Sequence, residues 1–238
     1  MLLGVGSGSN GLSDAFQSAF NFGSNGGTSI GKLEDKVAKH PQDATAWRDL
    51  ATAYEQKQRT QDAVTALERY TALRPKDADG YSELASQYTT LARNAATDYQ
   101  NAQNDATLAS PTTAFAPSGT TVFGKIFNDP KALRDPIGNL LQTQASSKAQ
   151  TALTDYQSAS KQAEDTFKRL AKLTPNDVTV QYQLGQAAQA ASDFPAAIAA
   201  YKRFLKLAPN DVDAPSVRQL LKQVRAQAGI TATTGGTG

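Results

Sequence analysis

His40 is the only imidazole among 238 residues, and cysteine is absent. Disulfides, Cys-ligated zinc, iron–sulfur clusters and thiol catalysis are therefore excluded, and any His-dependent triad must run through one residue. His40 precedes Pro41 at the end of a helical pattern, where the helix dipole or plain solvent accounts for it. No nucleophile and orienting acid are spaced to make it a base. Gly6-x-Gly8-x-x-Gly11 has the spacing of a phosphate-cradling loop. That chemistry needs a preceding strand, a helix after the loop and a second strand with an acidic partner. Gly23–Ser29, where the second strand would have to begin, is more glycine and serine, so the better reading is a flexible tether. Asp77-x-Asp79 and Asp211-x-Asp213 faintly resemble calcium ligands. The remaining oxygen ligands and the distant Glu are missing, and helix capping explains both pairs. No catalytic residue, metal or cofactor is expected.

Charge supports the same conclusion. Lys and Arg total 24 against 22 Asp and Glu, a net charge of +2, which gives no electrostatic reason to seek nucleic acid or anionic lipid. Lys202, Arg203, Lys206, Arg218, Lys222 and Arg225 make a basic C-terminal region. It reads first as a solvated face and second as a match for an acidic partner. No aromatic stacking set is interleaved with it, so nucleic acid is not expected. No run approaches the ~18 apolar residues of a membrane span. Met1–Val5 lacks the basic region and full apolar core of a signal peptide. A frayed start and the trimmed end of an upstream anchor both stay open. Gly6–Gly31 has linker composition.

The elements that could position a site are set by a repeat. Pro-x-Asp occurs at Pro41, Pro75, Pro175 and Pro209, with prolines 34, 100 and 34 residues apart. The middle gap is one unit of 34 carrying 66 inserted residues. Each proline helps to end a helix and each Asp can cap the next one. Apolar spacing inside a unit is helical: Trp47, Leu50, Ala51, Tyr54, a polar break, then Ala63, Leu67, Tyr70. The later unit gives Leu184, Gly185, Ala188, a break, then Ala197, Tyr201, Phe204. Small residues at Ala51, Ala63, Gly185 and Ala197 allow close helix approach.

This 34-residue, two-helix pattern resembles the tetratricopeptide repeat family of bacterial type. The resemblance covers Ala44–Asp77 and Val178–Asp211. It departs at Gln181, where the family has a large apolar residue, and at Tyr70 and Phe204, where it has alanine. It implies an all-α fold: a right-handed α-solenoid of about three repeats plus a capping helix. The expected layout is a linker over 1–31 and a repeat domain over 32–228. Its repeats fall at 44–77, at 78–91 with 158–177, and at 178–211. A capping helix over 214–228 and a disordered tail over 229–238 complete it.

The split repeat holds an insertion over 92–157. Ala92, Ala95, Tyr99, Ala102, Ala106 and Ala109 continue its first helix; Ala149, Ala152, Tyr156, Ala159 and Ala163 lead into its second. These alanine-rich, heptad-like seams predict a projecting antiparallel helical hairpin. Arms of about 18 residues each reach roughly 27 Å. The tip loop, 110–138, is rich in proline and glycine yet carries Phe115, Phe123 and Phe127. Folding back onto the stalk or solenoid is the first reading of these rings. A partner contact and membrane insertion are the alternatives.

The resemblance implies a non-enzymatic scaffold that binds a peptide, helix or partner protein in a concave groove lined by each first helix. The implied positions are Thr45, Arg48, Asp49, Thr52 and Glu55; then Asp79, Ser82 and Ser86; then Thr179, Tyr182, Gln186 and Gln189. Phe115, Phe123 and Phe127 are added as candidate tip contacts. Arg48 partly matches the family's clamp for C-terminal carboxylates, but Thr52 stands where Asn is expected. The expected partner is a protein or peptide and not nucleic acid, with the isolated chain a monomer and membrane association only through an upstream N-terminal anchor. A soluble cytoplasmic protein is the alternative location. A permanently ordered subunit of a larger, membrane-associated assembly is the alternative function.

Overall fold

The computed structural model describes residues 29–108, 122 and 136–229. The N-terminal Gly-rich tract, Phe115, Phe123, Phe127, most of the tip segment and the C-terminal tail lie outside the described residues. The helices run in chain order as α1 (Ile30–Lys39), α2 (Ala44–Gln56), α3 (Thr60–Leu73), α4 (Ala78–Leu108), α5 (Pro136–Leu173), α6 (Val178–Ala190), α7 (Phe194–Leu207) and α8 (Ala214–Gln227). No strand occurs among the described residues. The fold is the expected all-α, tetratricopeptide-like solenoid. Helix α1 starts at Ile30, two residues ahead of the expected domain boundary at 32, with the Ser29 hydroxyl capping it through Lys32 N–H. Helix α5 starts at Pro136, inside the expected tip loop 110–138; proline suits a first helical position, where its missing N–H costs nothing.

The chain divides into two compact units, 1–80 and 81–238. In the first, Leu50, Ala51, Ala63, Val64 and Leu67 are at most 2% exposed and join α2 to α3. The alanines leave room for the backbones to approach. The Asp43 carboxylate takes the Ala46 N–H at 3.0 Å and caps α2. Trp47 Nε1 donates to the Pro41 carbonyl at 2.9 Å, fixing the link from α1. The Tyr54 hydroxyl donates to Glu34 at 2.6 Å and ties α1 to α2. Burial first, and then Glu34, push that hydroxyl above its usual range.

Tyr70 shows why a bulky ring replaces the family's alanine. Its ring occupies the space that a Cβ on Gly80 would need, and its hydroxyl donates to Asp77. The other Asp77 oxygen caps α4 through the Asp79 N–H at 3.1 Å. The Tyr70 hydrogen bond leads in holding the Asp77 carboxyl below its ordinary value, helped by backbone N–H groups.

In the second unit, Asp177 caps α6 through Val180 N–H and Asp193 caps α7 through Ala196 N–H, both at 3.1 Å. Tyr201, Phe204, Ala214, Val217 and Val224 form the centre of a buried cluster joining α7 to α8. Glu164 on α5 is fully buried between Lys161 at 2.8 Å and Lys168 at 2.5 Å. Lys168 also reaches Asp193 at 2.9 Å, tying α5 to the α6–α7 turn. Both lysines are raised above their ordinary value, foremost by hydrogen bonding to Glu164. The Glu164 carboxyl first, then Lys168 and Ala196 N–H, hold Asp193 down at about 2.

On α4 the buried positions include Tyr88, Ala95 and Ala102; on α5 they include Ala145, Ala152 and Ala159. Both sets recur every seven residues. The end of α4 and the start of α5 face each other across a hollow lined by Asp105, Leu108, Leu141 and Lys148. Leu108, Leu140 and Leu141 are exposed there.

Candidate functional site

The implied groove residues fall into three kinds. Thr45, Asp49 and Thr52 on α2, Asp79, Ser82 and Ser86 on α4, and Thr179 and Gln186 on α6 are exposed. Arg48, Glu55, Tyr182 and Gln189 are half-buried. Phe115, Phe123 and Phe127 lie outside the described residues. Among the half-buried set, two are held in specific places. The Arg48 guanidinium lies over the Tyr70 ring, 5.4 Å from its centroid, a cation–π contact that also sets its charge near Asp77. The Tyr182 ring lies 5.9 Å from Phe204 and 6.4 Å from Tyr201. The ring thus packs against the buried aromatic cluster.

Thr52 donates to the Arg48 carbonyl at 3.0 Å. A threonine bonded back to its own helix is a poor replacement for the amide that a carboxylate clamp requires. The clamp is thus incomplete in geometry as well as in sequence.

In the second unit Gln186 and Gln189 come together at an open hollow of 440 Å³. Helix α6 supplies these two and Ala190; the α6–α7 turn supplies Ser192, and α7 supplies Phe194 and Tyr201. Leu220 and Gln227 come from α8, and Tyr156 from α5. Tyr201 donates to Gln189 Oε1 at 3.3 Å. Burial pushes its hydroxyl up to about 12, so it stays protonated as a donor at neutral pH. Tyr156 donates to the Ala190 carbonyl at 3.4 Å, at the end of α6, where carbonyls lack helical partners. Ser192 can close the turn because it adopts φ 60°.

The repeat pattern points to Gln186 and Gln189 but misses Tyr156, Ser192, Phe194, Leu220 and Gln227. Tyr156 reads in sequence as one more seam residue. Its distance of 34 positions from Ala190, one full repeat, is the signal that could have found it. Among the described residues no cluster of three or more His, Asp or Glu could hold a metal.

The tetratricopeptide repeat family matches residues 29–78 and 148–214. The two matches flank the region between residues 79 and 147. The crystal structure of MamA is similar at 13% identity, covering 97% of this chain and 88% of that one, with a TM-score of 0.44. The crystal structure of the APC/C hetero-tetramer Cut9-Hcn1 is similar at 14% identity, covering 90% of this chain and 48% of that one, with a TM-score of 0.24. At those scores neither likeness bears on function. No curated protein matches the chain.

Proposed function

Since the chain belongs to the tetratricopeptide repeat proteins, we propose that it is a non-enzymatic scaffold that binds a peptide, helix or partner protein on the exposed faces of its first helices. The observation that carries this reading is the hollow beside α6, where uncharged side chains from four helices and one turn converge. They can hydrogen-bond and pack, but they include no nucleophile paired with a base. In the first unit the corresponding surface is the exposed Thr45, Asp49 and Thr52 face of α2. The protein acts as a monomer, and the Gly6–Gly31 tract serves as its tether to a membrane or complex. No helix among the described residues is long and apolar enough to cross a membrane, so such a tether would work through attachment and not through any of these helices.

The permanent-subunit reading draws on a different observation, the exposed Leu108, Leu140 and Leu141 at the facing ends of α4 and α5. Affinity capture from membrane and soluble fractions separates the two. The chain is compared with a Thr52→Arg/Gln186→Glu variant and with a Leu108→Ser/Leu141→Ser variant. A scaffold loses a defined protein with the first variant only. A subunit loses it with the second only. Equal capture by all three contradicts both readings.

A further inference from the structure

The hollow beside α6 has a chemistry specific enough to name its ligand. Its lining contains Gln186, Gln189, Gln227 and Ser192 together with two tyrosines, Tyr156 and Tyr201. None carries a charge at neutral pH, in a chain where 19% of residues do. The neighbouring Asp193 is already matched by Lys168 and by the Ala196 N–H. A carboxylate or ammonium in this open hollow would find no counter-charge among the lining residues to hold it.

A neutral amide is matched in both directions. Each glutamine amide offers two N–H donors and an accepting oxygen, and a serine hydroxyl does both. The Tyr201 hydroxyl donates to Gln189 Oε1, which orients that amide with its N–H groups still able to donate. Phe194 and Leu220 add apolar surface beside these polar groups, which suits the methylene stem of a glutamine side chain. We propose that the hollow formed by Gln186, Gln189, Ser192, Gln227 and Tyr156 binds an uncharged, Asn- or Gln-bearing peptide segment of the partner.

Tyr156 makes this property particular to this chain. It comes from α5, within the expected insertion 92–157, and reaches the end of α6 through the Ala190 carbonyl. The inserted arm thereby supplies one wall, and the repeat pattern alone does not encode the site. The inference rests on the scaffold reading and deepens it.

The test is a titration of the isotope-labelled full chain, followed by amide NMR signals. The probes are three capped pentapeptides, acetyl-Gly-Asn-Xaa-Asn-Gly-amide, with Gln, Glu or Lys at the centre. The expected result is movement of the Gln186, Gln189 and Gln227 side-chain signals by the Gln peptide. Its affinity should be at least tenfold above the other two. Gln186→Glu, at an exposed position that does not touch the core, should reverse the order so that the Lys peptide binds best. Tyr156→Phe should weaken the Gln peptide while leaving the order intact. Equal affinity for the three peptides overturns the proposal. So does an unchanged order in Gln186→Glu, the absence of any shift at these amides, or tighter binding of an N-acetylglucosamine oligomer. A captured partner that depends on Thr52 while the hollow stays silent defeats this inference and leaves the scaffold reading standing.

Discussion

The Tyr201 ring lies directly against Gly185, in the space that a Cβ at position 185 would fill. Tyr201 is fully buried, which restricts how far the ring can shift. Tyr70 and Gly80 repeat the relationship in the first unit. In both, a glycine on one helix makes room for a large ring carried by another.

Gly185→Ala is therefore expected to destabilise the second unit. Alanine ordinarily favours a helix over glycine by about 1 kcal/mol, but overpacking a fixed ring costs about 1–3 kcal/mol. The net expectation is a loss of up to about 2 kcal/mol in urea unfolding. A gain in stability would show that the ring can relocate.

Gln58 and Ser192 are matching residues of two repeats, each at a left-handed φ of 57° and 60°. A side chain in that region costs about 1–2 kcal/mol. Gln58→Gly should raise the midpoint of thermal unfolding, as expected of glycine just past a helix end. Ser192→Gly should stabilise too, and should also remove a hydroxyl from the hollow.

Asp193 links capping to pH. Its folded value is about 2 against an ordinary 3.8. As pH falls, the unfolded chain takes up the proton first. The Asp193 contribution is thus complete above its unfolded value and is lost as pH falls toward about 2. Asn caps a helix nearly as well as Asp. Asp193→Asn should therefore lower stability at neutral pH by losing the Lys168 pair, and should flatten the acid limb of the stability curve. Urea midpoints measured from neutral to acid pH check both effects. An unchanged acid limb would show that Asp193 does not set it.

Glu164 is the buried end of the same network. Glu164→Ala would empty the fully buried space this side chain fills, while Lys161 keeps Asp165 and Lys168 keeps Asp193. Glu164→Gln keeps the shape and some hydrogen bonding. The alanine variant should be clearly the less stable of the two; equal losses would mean that the charge, and not the hydrogen bonding, is what matters.

The repeat was legible because proline and aspartate act locally. Asp43 and Asp177 cap the next helix, as their position after proline suggests. Asp77 caps as well but shares its carboxylate with Tyr70. Asp211 behaves differently. Its carboxylate takes the Asp213 N–H at 2.9 Å, and α8 begins only at Ala214, beside Pro215. Spacing could not show this, since it depends on Pro215 taking a place in the first turn of α8. The bulky Tyr70 and Phe204 looked like departures in the sequence. Tyr70 is accommodated by the small Gly80 in the next helix, and Phe204 lies in the buried cluster that includes Ala214. The hollow was only half legible, because Tyr156 reaches it from a helix arm whose sequence signals only a seam.

Binding of a protein partner by the exposed first-helix faces can be read by hydrogen–deuterium exchange of the full chain, alone and with its captured partner. Exchange should slow along α2 and α6, including the residues around Thr52, Gln186 and Gln189, with α3 and α7 little changed. Protection confined to the facing ends of α4 and α5, near Leu108 and Leu141, would show instead that the partner sits on the inserted arms and not on the repeats.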